Sequence, residues 1–162
     1  MISLGFHGMR KELDSRWIAQ TLREAAWAPL LVICLVVAAA EMFDAYTRFP
    51  SLDVPTHFLG GIAVAYFFWC AFASAQPVAG HLPNVSQAVL AFGCTAGTTI
   101  LWEILEFLSD RLFGTQLQHG VGDTVSDILF GLVGGVVYLV LRRSFAASPS
   151  ARTSPVPPDE KA

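Results

Sequence analysis

Asp53 and His57 stand four residues apart, Glu103, Glu106 and Asp110 follow at intervals of three and four, and Asp123 and Asp127 are again four apart. Residues at these intervals share a helix face, so each group would present one acidic stripe. Glu41 and Asp44 add a pair three apart. Carboxylates joined by an imidazole such as His57 or His119 are hard or borderline ligands, suited to Mg²⁺, Mn²⁺, Ca²⁺ or Zn²⁺. With so many oxygens even a two-metal site is conceivable. In that chemistry Glu103, Glu106, Asp123 and Asp127 are metal ligands or acid–base groups. His57 is a ligand or proton shuttle oriented by Asp53, which makes Asp53, His57 and Glu103 the catalytic candidates. The plainer alternative is that the same groups hydrogen-bond across helices and hold a bundle together. For Glu41, Asp44 and Asp110 it is simpler still: they are solvated at an interface.

The elements that must carry these stripes are apolar. Of 162 residues 54% are hydrophobic and only 14% charged, which is too greasy for an ordinary soluble domain. The net charge of −3 argues against a nucleic-acid surface. Cys34, Cys70 and Cys94 fall inside apolar runs without a CxxC spacing, so neither a zinc ribbon nor a redox pair is indicated. Four windows approach the roughly 20 residues a spanning helix needs: 27–43, 56–75, 85–108 and 121–141. The expected fold is all-α, a membrane-embedded four-helix bundle over residues 27–141. Residues 1–26 precede it as an interfacial amphipathic helix, in which Leu13, Trp17, Thr21 and Ala25 recur every four positions beside basic residues. An extension of the first span fits the same residues. Residues 142–162, which turn into Ser, Ala and Pro from Ala146 onward, are expected to be a disordered tail.

Three spans also carry small residues that allow close packing: Gly60-Gly61, Gly93 with Gly97, and Gly131 with Gly134-Gly135. Such faces would equally let copies of the chain associate. Pro55 suggests that Asp53 lies just before the second helix.

Four spans put both termini on one side, together with Arg10, Lys11, Arg16, Arg23, Arg142, Arg143, Arg152 and Lys161, against Arg48 and Arg111 on the other. The positive-inside rule then makes both termini cytoplasmic in a bacterial inner membrane, with the acidic groups facing outward. If the fourth span centres on Gly131, Asp127 lies about 6 Å from the midplane at 1.5 Å per residue. A lone carboxylate at such depth costs roughly 2.5–3.5 kcal/mol, so it must be protonated, paired or bound to a cation.

Three stretches resemble a known family. Asp53-Val-Pro-Thr-His57-Phe58 is similar to its D-x-x-x-H-F element, Trp102-Glu103-Ile-Leu-Glu106 to W-E-x-x-E, and Asp123-Thr124-Val-Ser-Asp127 with Gly134 to D-T-x-x-D and a downstream glycine. In this order they resemble the YjdF-like bacterial multi-pass membrane proteins. More distantly they resemble the VanZ-like family implicated in glycopeptide-antibiotic resistance. The chain departs from the E-x-x-Q and final Asn of that second pattern, with Glu106 and Leu129 or Phe130 near those places. The resemblance implies an architecture and a site at Asp53, His57, Glu103, Glu106, Asp123 and Asp127 rather than a reaction.

No GxSxG, P-loop or HExxH motif occurs. The expected function is therefore a divalent-metal site for hydrolysis or group transfer on a lipid or lipid-linked envelope substrate, with membrane lipids as partners and no nucleic acid. Two other classes fit the same residues: a small proton- or cation-coupled transporter and a non-catalytic membrane scaffold. A polar path continuing through the bundle would favour the transporter.

Overall fold

The computed structural model describes residues 15–43 and 45–146, whose regular structure is all helical. α1 covers Ser15–Ala25 and α2 Trp27–Phe43. A single turn, α3 (Ala45–Arg48), and a 3₁₀ turn at Pro50–Leu52 follow. Three long helices complete the chain: α4 Asp53–Ala79, α5 Asn84–Phe113 and α6 Val121–Ala146. Among the described residues α4, α5 and α6 are each long and apolar enough to cross a membrane. The pair α1 and α2, bent by 47° at Ala26, makes a fourth span if counted as one.

Each long helix outruns its apolar window. α4 starts at Asp53 rather than after it, because Pro55 falls in the first turn, where the missing N–H has no intrahelical partner to lose. α5 carries the whole Trp102–Asp110 stripe and ends at Gly114, whose φ of 70° supplies the left-handed cap. α6 continues past Leu141 through Arg142 and Arg143 to Ala146, so the start of the expected tail is helical. The rest of that tail, the basic residues before Ser15 and Asp44 lie outside the described residues.

The bundle is packed on small residues. Among the described residues the buried apolar side chains are all alanines: Ala25, Ala28, Ala63, Ala65 and Ala91. Leucines, valines and phenylalanines point outward, as expected where the surrounding medium is itself hydrocarbon. α4 and α6 form the closest pair. A Cβ on Gly61 would collide with the Gly131 carbonyl, and one on Gly134 with the Phe58 carbonyl. Backbone-to-backbone approach of this kind replaces hydrophobic drive with dispersion contacts. Of the glycines expected to pack, Gly61, Gly131, Gly134 and Gly135 do so. Gly60, Gly93 and Gly97 have nothing within 4 Å of where a Cβ would stand.

α1 packs against the bundle along one face. Thr21 and Ala25 are buried, and the Tyr66 hydroxyl of α4 donates to the Glu24 carbonyl at 3.1 Å. Two members of the stripe seen in the sequence therefore face protein.

Candidate functional site

The Gly61–Gly131 contact sets the site. One turn toward the helix ends lie His57 and Asp127, each four residues earlier in its own helix, so close backbone approach brings them opposite one another. α5 adds a third face. Its buried positions Gln87, Ala91, Thr95 and Glu103 fall on a four-residue ladder, with Thr99 as the remaining rung packed beside Gly131. Asp53 reaches the same place from the start of α4.

The resulting cluster contains two overlapping groups, Asp53–His57–Asp127 and His57–Glu103–Glu106, whose ligand atoms lie within 4.8 Å of one another in each group. His57 belongs to both. Its Nε2 is 3.2 Å from Asp53 Oδ1, and its Nδ1 is 3.6 Å from Glu103 Oε1. His57, Glu103 and Asp127 are buried.

Glu103 is the least compensated member. It is 3% exposed, and neither carboxylate oxygen has a hydrogen-bond partner. The nearest basic nitrogen, on His57, lies beyond hydrogen-bond distance. A buried carboxylate without donors is costly, and it needs a proton or a cation to offset that cost. The donor set fits a divalent ion: oxygens from three helices with one imidazole.

Three further residues shape the site, and their chemistry is less visible in the sequence. Trp102 Nε1 donates to Glu106 Oε1 at 2.7 Å, so the indole holds that carboxylate from one turn earlier on α5. The only signal for this was the i,i+4 spacing of the two residues. Thr56 donates its hydroxyl proton to the Leu52 carbonyl at 2.8 Å, which leaves Tyr46 to donate to Thr56 Oγ1 at 2.9 Å. Tyr46 thereby ties the short α3 across the start of α4. Its phenol is pushed up from the usual tyrosine value, chiefly by burial, with Asp53 and Glu106 acting in the same direction.

The remaining acids do other work. Asp110 accepts from the Thr115 hydroxyl at 2.6 Å and from the Leu117 and Gln118 amides at 2.9 and 3.0 Å, and so orders the α5–α6 connection. Asp123 accepts from the His119 amide at 3.1 Å and has the His119 ring 3.5 Å away, so it belongs to the start of α6 and to neither ligand group. Glu41 lies on α2, and its expected partner Asp44 is outside the described residues.

A helical membrane bundle with a buried carboxylate–imidazole cluster near one end is thus defined by the structure. The chain belongs to the family described as Predicted membrane protein (DUF2238), whose model matches residues 15–147. It is also similar to an uncharacterized protein of Thermotoga maritima, 27% identical over 95 residues, which are 58% of this chain and 48% of that protein. The chain thus matches about half the length of this relative. No solved structure matches the chain.

Proposed function

We propose that the cluster is a divalent-metal centre serving hydrolysis or group transfer on a lipid or lipid-linked substrate at the membrane. Glu103, Glu106, Asp127 and His57 are the ligands or acid–base groups, and Asp53 orients the imidazole. The observation that carries this reading is Glu103, buried with both oxygens unbonded beside His57. A divalent ion there would act as a Lewis acid or lower the pKa of a bound water. The YjdF-like resemblance agrees with this placement, and the VanZ-like one is the weaker of the two. In this reading the protein sits in a bacterial inner membrane with both termini cytoplasmic, so the site faces outward, as the excess of Lys and Arg near the termini favours.

Coupled ion transport is less well supported. Toward the opposite end α4 and α6 meet backbone to backbone at Gly61 and Gly131. The hydroxyls of Thr95 and Thr99 next to it donate to the Ala91 and Thr95 carbonyls at 2.8 and 3.0 Å, so neither proton faces a path. A pure scaffold gives no reason for an uncompensated Glu103.

The test is thermal. Ligands that bind only the folded state stabilise it by mass action, by about 2.7 kcal/mol at a hundredfold excess over Kd. The melting temperature of the purified protein should rise with one of Mg²⁺, Mn²⁺, Ca²⁺ or Zn²⁺, and Glu103→Gln should abolish the response. Equal melting of parent and variant under every metal condition would sink the metal reading.

A further inference from the structure

A groove of about 190 Å³ runs from His57 along the side of the bundle. Its floor is α4, its walls are α2 and α5, and α2 packs on the bundle chiefly through α4. The α2 wall is aliphatic, with Val32, Ile33 and Val36. The hydroxyls of Thr98 and Thr99 on the α5 wall are turned to the carbonyls of Cys94 and Thr95, at 2.9 and 3.0 Å. The polar end is therefore the end at His57. From Thr56 to Val64 the floor extends about 12 Å at 1.5 Å per residue.

Two adjacent glycines on that floor behave differently. Gly61 has no room for a side chain, because Gly131 occupies the space. Gly60 has nothing within 4 Å of where its Cβ would stand and lines the groove. Helix packing explains Gly61 and does not explain Gly60. What the missing side chain at Gly60 does is keep the groove open.

We infer that this groove seats one acyl chain of a membrane lipid, with the chain's polar end delivered to His57. The inference rests on the lipid-directed reading of the site and assigns where such a substrate lies. The occupant follows from the setting. Two of the helices along the groove, α4 and α5, are each long and apolar enough to span a membrane, and α2 is so together with α1; the medium around such helices is lipid tail. Its walls offer an aliphatic chain dispersion contacts, and its one chemically competent side chain stands at the end. Gly60 is then a specificity-determining position, since any larger residue there shortens the space available to the chain.

The experiment is photo-crosslinking of the full chain in nanodiscs with a phosphatidylethanolamine carrying a diazirine partway along one acyl chain. Adducts should concentrate on Val32, Val36 and Val64 over Leu129, Val133 and Val136, which are exposed positions of α6. Gly60→Leu should lower groove labelling about tenfold, a loss of about 1.4 kcal/mol, while α6 labelling stays constant. Gly60→Leu should also melt close to the parent, because a Cβ there has nothing within 4 Å and the rest of the side chain enters the groove. If that variant fails to fold, Val64→Phe blocks the same groove and takes its place. Equal labelling of groove and α6, an unlabelled groove (as a second copy or another helix filling it would give), or unchanged labelling in the blocked variant would overturn the inference. Glu103→Gln separates the two proposals: it should keep groove labelling while losing the metal response.

Discussion

The α5 ladder has a polar side chain at each end, and the two ends are treated differently. Gln87, 2% exposed, donates to the Trp69 carbonyl at 2.9 Å and accepts from Gln76 Nε2 at 3.0 Å; Gln76 in turn lies 3.2 Å from His81 Nδ1. Glu103, 3% exposed, makes no hydrogen bond at all. Burial is nearly equal, and the helix is the same. A neutral amide with matched donors and acceptors is what structural use of a polar residue inside a bundle looks like. A carboxylate with unbonded oxygens beside an imidazole is stable only with something further bound, a proton or a cation.

The same contrast bears on the surrounding contacts. Near Gln87 the bundle is closed by fixed groups: Arg142 lies 4.7 Å over the Trp69 ring, and Tyr66 packs edge-on to Tyr138 at 5.9 Å. Near Glu103 the neighbours are donors and acceptors of the kind a ligand uses: His57, Asp53, Glu106 and the indole N–H of Trp102. One end is built to hold, the other to bind.

The largest expected effect comes from the layer between the two ends. Gly61→Leu forces a side chain into the Gly131 backbone, and neither helix can give way locally. Overpacking of this kind should cost about 3 kcal/mol or more, seen as loss of monodisperse folded protein on size-exclusion chromatography. Survival of Gly61→Leu with parental melting would mean that α4 and α6 do not approach as described. Next in size is Glu103→Gln, which should forfeit metal-dependent stabilisation of about 2.7 kcal/mol at a hundredfold metal excess. Without metal it should melt at or above the parent, since an amide is easier to bury than a carboxylate. A lower melting temperature without metal would show that the carboxylate is structural.

Much of this was legible in the sequence, for reasons that differ by residue. Three of the four expected spans followed from length and hydropathy, the first needing α1 and α2 counted together, and the i,i+4 spacing of Asp53 with His57 placed two site members on one face. Helix ends were less legible: the polar stretches around Asp53, Asp110 and Arg142 are helical, although hydropathy stops short of them. Spacing also could not separate Asp123 from Asp127. Both fit one stripe, but Asp123 lies in the first turn, where the local His119 amide takes its carboxylate. Nor could it separate Gly60 from Gly61, because composition does not say which of two neighbours faces a backbone and which faces a groove.

Smaller effects sharpen the contrast between the ends. Trp102→Phe keeps the ring and removes the N–H bonded to Glu106. Losing such a partner behind a ligand typically lowers metal affinity about 10- to 100-fold, so titration of melting temperature against metal should shift to higher concentrations while the metal-free value barely moves. An unshifted titration would mean that Glu106 is not a ligand.

Gln87→Leu should have the smallest effect on function and a modest one on stability. It removes the acceptor of Gln76 and the donor to the Trp69 carbonyl. Polar contacts between membrane helices average about 0.6 kcal/mol, and leaving Gln76 without its acceptor adds to that, for a total near 1 kcal/mol. The metal titration should be unchanged, because the Gly61–Gly131 layer separates Gln87 from His57. Gln87→Leu therefore lowers every melting temperature by a constant amount, and Glu103→Gln removes the slope with metal. If Gln87→Leu also flattened the metal response, the two ends would be coupled through the bundle. The division into a holding end and a binding end would then fail.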